Sequence, residues 1–140
     1  MHVRDALESD TEAIASLADR PLEATRDRIH GRTVRVAVTE DTAVDGELEV
    51  VGFLAFDARN GAVHVTDFEG TPEAVRRLLQ LPIEFAEREG MDVETTIRND
   101  ERERIEAIEG IGFVATEAGP RFEGHPTTRF RLELKDEDTG

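Results

Sequence analysis

The chain of 140 residues contains no cysteine, no tryptophan and no tyrosine. The missing cysteines exclude disulfides, thiolate metal sites and a thiol nucleophile. The missing tyrosines exclude a phenol as an acid in any reaction the protein performs. Lysine is nearly absent as well: only Lys135 accompanies the arginines among 17 basic residues. No apolar run approaches the length needed to span a bilayer. The start, MHVRDALESD, lacks the basic and apolar succession of a secretory leader, so the sequence reads as a cytoplasmic protein.

What is abundant is negative charge. Thirty-two acids against 17 bases give a net charge of -15. A field of that sign disfavours nucleic acid and anionic membranes as partners. The acids are spread through the whole chain, which marks a general surface property. An acidic, lysine-poor surface suits a salt-rich cytoplasm, where self-repulsion is screened within about 3 Å at 1 M salt. The composition therefore points to a halophilic source.

Length and composition suit one domain over residues 1–135, with a frayed polar tail at 136–140. HVRDA reads as a first strand. Ser9 or Asp10 is placed to cap a helix from Thr11, with Ile14, Leu17 and Ala18 as its apolar stripe. Pro21 opens a second helix carrying Leu22 and Ile29, closed by Gly31. TVRVAVTE alternates, with Val34, Val36 and Val38 on one face. LEVVGFLAFDA is the most apolar strand, and its phase shifts near Val50 and Val51, the mark of a bulge or of burial on both faces. Asn60-Gly61 is a hairpin signal joining it to AVHVTDF. Thr71 caps the next helix, with Pro72 at its first position and Val75, Leu78, Leu79 and Ala86 on one stripe. Pro82 is expected to kink or split that helix. VETTI is a strand, IEAIEGIGF a helix leading into strand FVAT, and TTRFRLEL a last alternating strand.

This order gives an α+β protein. It resembles the GNAT acetyltransferase superfamily over nearly the whole chain. The resemblance rests on VRDALESDTEAIASLAD as opening strand and helix, on VVGFLAF with its hairpin and AVHV, and on VETTIRNDERERIEAIEGIGFVAT with the Gly112-Phe113 pair. It implies a three-layer fold with a central mixed, mostly antiparallel sheet of about seven strands and four helices. It also implies acetyl-CoA as cofactor and an unknown amine, small molecule or peptide, as acceptor. By the same resemblance Val65, Thr66, Phe68, Gly70, Thr71, Arg76 and Asn99 contact the cofactor, and Asp67 or Glu69 acts as the base. The alternative is a catalytically inactive domain of the same fold, kept for binding or for homodimer formation.

The stretch Asp67 to Val75, DFEGTPEAV, departs from that family. Its phosphate-loop glycine positions fall on Thr71, Glu73 and Val75, and Pro72 lacks an N–H. Glycine is needed where phosphate approaches the backbone. A capped helix start explains the same residues without a ligand. The tyrosine position of the family, four residues before Gly112, holds Ile108. His64 occupies the sheet face opposite Val63 and Val65, either as a base or ligand or as an ordinary sheet-face histidine. His2, His30 and His125 show no ligand spacing, so no metal site is expected. The loop EAGPRFEGHP either lines an acceptor site or is a surface hairpin with Phe122 tucked onto the core.

Overall fold

The computed structural model describes residues 1–18, 21, 23, 33–39 and 49–134. Strand β1 spans His2–Asp5, and a 3-10 turn, Glu8–Asp10, leads into helix α1, Thr11–Ala18. Strands β2 (Thr33–Thr39), β3 (Glu49–Arg59) and β4 (Ala62–Gly70) follow. Helix α2 (Pro72–Glu89), β5 (Asp92–Arg98), α3 (Arg102–Ile111), β6 (Val114–Ala118) and β7 (Thr127–Leu132) complete the chain. Most of the expected second helix, with Leu22, Ile29, His30 and Gly31, lies outside the described residues, as does the expected tail at 136–140.

The seven strands form one sheet in the order β1-β2-β3-β4-β5-β7-β6. The sheet is mixed. The ladders β1–β2, β2–β3, β5–β7 and β6–β7 are antiparallel, and β4 runs parallel to β5. The parallel pair follows from α2, because a helical crossover returns the chain in its original direction. The expected four helices and mostly antiparallel sheet are thus corrected to three α-helices among the described residues and a mixed sheet.

The chain groups into two compact units. The first comprises Met1–Asp57 and Asp67–Gln80, the second Ala58–Thr66 and Leu81–Gly140. In the first unit, Val34, Val36 and Val38 of β2 join Phe53 and Ala55 of β3 and Ile14 of α1 in a buried cluster. Leu17 and Ala18 pack against it, so the stripe read from the sequence is the face that α1 buries. The opposite face of β3 meets α2: a Cβ placed on Gly52 would lie 2.8 Å from that of Ala74 and 3.2 Å from Leu78 Cδ1. Ala74, Val75, Leu78 and Leu79 are buried, which accounts for the start of the α2 stripe. In the second unit Ile83, Ala86, Val93, Ile97, Ile108, Phe113 and Phe130 are buried.

Two sequence signals appear in the backbone where they were read. Asn60 and Gly61 have φ of 52° and 78°, the doubly left-handed pair of a tight hairpin. The β2–β3 register passes from Ala37 opposite Gly52 to Val38 opposite Val50, leaving Val51 as the bulged residue.

Two others are corrected. Helix α2 runs through Pro82 without splitting. Pro82 is fully buried, and its packing holds the helix together despite the missing donor. Asp10 does not cap α1 forward. Its carboxylate reaches back to accept the Leu7 N–H at 2.7 Å and pairs with Arg4 at 2.8 and 3.0 Å. Burial pushes that carboxyl upward, but the Arg4 guanidinium and the Leu7 amide together hold it below the ordinary aspartate range. Thr11 instead donates its hydroxyl to the Glu8 carbonyl at 2.6 Å, tying the 3-10 turn to the helix.

Candidate functional site

The expected donor-site residues divide between the units. Asp67, Phe68, Glu69, Gly70, Thr71 and Arg76 belong to the first; Val65, Thr66 and Asn99 belong to the second. In the first unit, β4 ends at Gly70 and α2 begins two residues later. Asp67 is buried, and its Oδ1 accepts the N–H of its own neighbour Phe68 at 2.9 Å. Phe68 is buried too, whereas Glu69 is half-buried.

Gly70 has φ of 144°, and a Cβ there would lie 2.6 Å from Gly52 Cα and 2.6 Å from Val51 O. Its lack of a side chain is therefore required by the close approach of β3. The next residue fastens the same contact: the Thr71 N–H donates to Val51 O at 3.1 Å.

A pyrophosphate at the start of α2 would need free N–H groups there. A helix N-terminus binds anions through its unused N–H groups. Here the Thr71 N–H is taken by Val51 O, and Pro72 has none. The Ala74 N–H is taken by Thr71 Oγ1 at 3.2 Å, and the Val75 N–H by Thr71 O at 2.9 Å. That leaves the amide of Glu73, whose carboxylate lies 3.8 Å from Arg77 in an exposed pair. A phosphate cradle built from backbone amides does not fit this helix start. Arg76 is exposed and is the nearby cation suited to a phosphate.

In the second unit the β4–β5 ladder runs from Ala62 opposite Asp92 to Val65 opposite Thr95. Val65 O also accepts the Thr95 hydroxyl at 2.9 Å. Asn99 is exposed; its N–H donates to Pro126 O at 3.0 Å and its Oδ1 accepts the Thr128 hydroxyl at 2.6 Å. Those bonds make it the residue that ties the end of β5 to the start of β7.

The same unit holds a cavity of about 730 Å3 on the sheet face that carries His64. Its floor is a row set by strand register. His64 stands opposite Glu94, and Glu94 opposite Arg131. One step along, Thr96 stands opposite Arg129, and Arg129 opposite Glu117. His64 Nδ1 lies 3.6 Å from Glu94 Oε1, at ion-pair rather than hydrogen-bond distance. Glu94 Oε2 accepts from Arg131 Nη1. The remaining Arg131 donors, Nε and Nη2, go to Asp92 Oδ2 at 3.0 and 2.8 Å, and Asp92 Oδ1 accepts the Leu134 N–H at 2.9 Å. His64 Nε2 is buried without a hydrogen-bond partner. Of this row the sequence showed only the face of His64. Glu94 and Arg131 lie 30 and 67 residues further on, and nothing local reveals that register brings them together. Phe122 is 55 % exposed, so the loop between β6 and β7 does not tuck that ring onto the core.

Among solved structures, a protein of the GNAT acetyltransferase family from Desulfovibrio desulfuricans superposes with a TM-score of 0.75 at 14% identity, covering 95% of this chain and 98% of its own. The fold is the GNAT acetyltransferase fold. The yncA acetyltransferase structure from Salmonella typhimurium, solved with its cofactor acetyl-CoA, matches with a TM-score of 0.70 at 19% identity, over 99% and 96% of the two chains. A variant of the spermidine N-acetyltransferase of Vibrio cholerae gives 0.72 at 11% identity, over 99% and 98%. No family model matches the sequence, and no curated protein matches it. No helix among the described residues is long and apolar enough to cross a membrane.

Proposed function

We propose that the protein is an N-acyltransferase that moves an acetyl group from a pantetheine thioester, in the first instance acetyl-CoA, to an amine. The observation that carries this reading is the full-length match of the fold to acetyltransferases, one of them solved with acetyl-CoA. Those similar structures include proteins named for small amine and protein acceptors, spermidine and a ribosomal protein. Val65, Thr66, Phe68, Gly70, Thr71 and Asn99 are the proposed donor contacts, and Arg76 the proposed phosphate contact. Asp67 and Glu69 are the carboxylates proposed as base, with Glu69 the more accessible.

The test is release of free CoA thiol from acetyl-CoA in the presence of mixed primary amines. Amine-dependent release is the expected result, and Glu69→Gln is expected to lower turnover while leaving donor binding in place. Absence of release with every amine would sink the reading.

A second reading has a specific observation behind it. The used donors at the start of α2 favour a non-catalytic domain of this fold, kept for binding a metabolite or another copy of the chain. Under that reading neither acetyl-CoA nor acetyl-pantetheine binds.

We further propose a cytoplasmic protein of salt-rich surroundings, since the net charge of -15 is borne by acids along the whole chain. Screening of self-repulsion then raises the unfolding midpoint by several degrees between dilute buffer and 1 M KCl, as the Debye length falls to about 3 Å. A midpoint unchanged by salt would remove this argument.

A further inference from the structure

The hairpin of β6 and β7 ends the sheet on one side. β6 is last in the strand order, and β7 is its one neighbour among the described strands. All five of its residues are exposed. An edge strand presents unpaired N–H and C=O groups to any chain that can align with them. Monomeric proteins blunt such edges with lysine, proline, inward-pointing charge, a bulge or a covering element. β6, VATEA, has no lysine and no proline. It carries one charge, Glu117, and one bulge, between Ala115 and Glu117. The opposite edge, β1, is shorter, and its Arg4 and Asp5 are held in ion pairs with Asp10 and Arg35.

Apolar side chains gather on the same hairpin. Among the described residues the exposed large apolar side chains are Leu7, Val114 and Phe122, and the last two belong to it. Val114 is 64 % exposed. Phe122 is displayed by a rigid tip. Glu123 and Gly124 have φ of 51° and 82°, a tight two-residue turn. Phe122 and His125 exchange N–H to carbonyl bonds of 2.9 and 2.8 Å across it, and Arg121 Nη1 donates to Gly124 O at 2.7 Å. Behind the tip the Thr127 hydroxyl donates to Pro120 O at 2.5 Å. A contact group fixed in advance loses little entropy on binding.

Charge decides what can approach. The chain carries -15, so a second copy is repelled over most of the surface. From Val114 to Leu132, Glu117 and Glu123 stand against Arg121, Arg129 and Arg131, which leaves +1 with histidine neutral. The one charge on β6, Glu117, has Arg129 of its own hairpin 3.8 Å away. Two such hairpins meet without the repulsion that the rest of the chain imposes. They are also self-complementary. An antiparallel pairing of β6 with itself is a two-fold contact, so the Val114 end of one copy meets the Phe122 end of the other.

We propose that β6 is the interface of a homodimer, in which two β6 strands pair antiparallel about Thr116 and the two sheets become one. The two-fold axis then stands perpendicular to the sheet, and like faces stay on the same side. Thr116 and Glu117 also line the cavity over the His64 row. The two cavities of the dimer therefore open on one face, separated by the paired strands. The bulge keeps the pairing short. Such a contact belongs at the small end of specific interfaces, and its dissociation constant is expected at about 10 μM or weaker. Salt strengthens it, because 1 M KCl screens the net repulsion beyond about 3 Å. The assembly holds whether or not the chain transfers acyl groups.

The experiment is analytical sedimentation of the whole chain in 1 M KCl, across concentrations that bracket this constant. The mean mass is expected to rise towards twice that of the chain, and to fall back in dilute buffer. Val114→Glu adds an acid to the edge of each copy and should keep the protein monomeric, with its unfolding midpoint establishing that it folds. Thr116→Cys gives an independent reading, because the chain has no cysteine of its own. Residues opposed or diagonal at the centre of an antiparallel pair lie within the Cα spacing of a disulfide, about 4.4–6.8 Å. Treated with diamide, Thr116→Cys should cross-link to a dimer about tenfold faster than Glu103→Cys, at the exposed start of α3, since pairing raises the local thiol concentration. A monomer at every concentration in 1 M KCl would overturn the proposal. So would a dimer that persists in Val114→Glu and cross-links no faster through Thr116→Cys than through Glu103→Cys. Growth beyond a dimer would overturn it too, since a two-fold contact closes at two copies.

Discussion

Gly70→Ala is expected to destabilise the protein by about 3 kcal/mol, the upper range for forcing atoms into a packed site, with added strain from a φ that only glycine adopts easily. The new methyl would sit 2.6 Å from two backbone atoms of β3, the Cα of Gly52 and the carbonyl oxygen of Val51. Backbone cannot rotate away as a side chain can. Relief would require β3 and the start of α2 to separate, breaking the Thr71 N–H bond to Val51 O. Two controls isolate the cause. At Gly61, φ is 78° but an added Cβ meets nothing within 4 Å, so alanine there should cost only the ~1 kcal/mol of a left-handed backbone. At Gly110, inside α3, an added Cβ also meets nothing, and alanine should stabilise by up to about 1 kcal/mol through helix propensity. Denaturant titration of the three variants gives the ranking. An equal effect at Gly70 and Gly61 would show that the close approach to β3 is not what requires glycine.

The second large effect concerns the donor. A phosphate gripped by backbone amides gains about 1.5–3 kcal/mol for each charge-assisted hydrogen bond. Two such bonds would favour acetyl-CoA over S-acetyl-pantetheine, which lacks the nucleotide, by about 100-fold or more. At the start of α2 the amides other than that of Glu73 are already spent on Val51 O, Thr71 Oγ1 and Thr71 O, or absent at Pro72. Acetyl-CoA and S-acetyl-pantetheine are therefore expected to differ by less than about tenfold in KM, because an exposed ion pair of the kind Arg76 can form is worth ~0–1 kcal/mol. Arg76→Ala should remove most of that difference. A preference of 100-fold that survives in Arg76→Ala would mean that amides do cradle the pyrophosphate.

Much of the fold was legible because its signals are local. Asn60-Gly61 specifies a turn by conformational preference, and Thr71-Pro72 specifies a helix start by a cap and a missing donor. The Val51 bulge showed as a break in alternation. The misreadings arose where tertiary packing overrode local preference. Pro82 should break a helix, but burial on all sides keeps α2 continuous. Asp10 is a good cap by type, but Arg4 of the neighbouring strand and the Leu7 amide claim its carboxylate. Gly70 has in addition a packing requirement that the local sequence does not show, because the backbone it meets lies in β3, eighteen residues upstream at Gly52. The His64–Glu94–Arg131 row was invisible for a related reason: it exists only once three strands are in register.

The central claim is that this fold holds an acyl-pantetheine donor. The most direct measurement is the unfolding midpoint of the protein in 1 M KCl with and without millimolar acetyl-CoA or S-acetyl-pantetheine. A donor at 100 times its dissociation constant adds about 2.7 kcal/mol, a rise of several degrees for a domain of this size. The expected result is a rise with both compounds, similar in size. An unchanged midpoint with both would contradict the claim and leave the non-catalytic reading in its place.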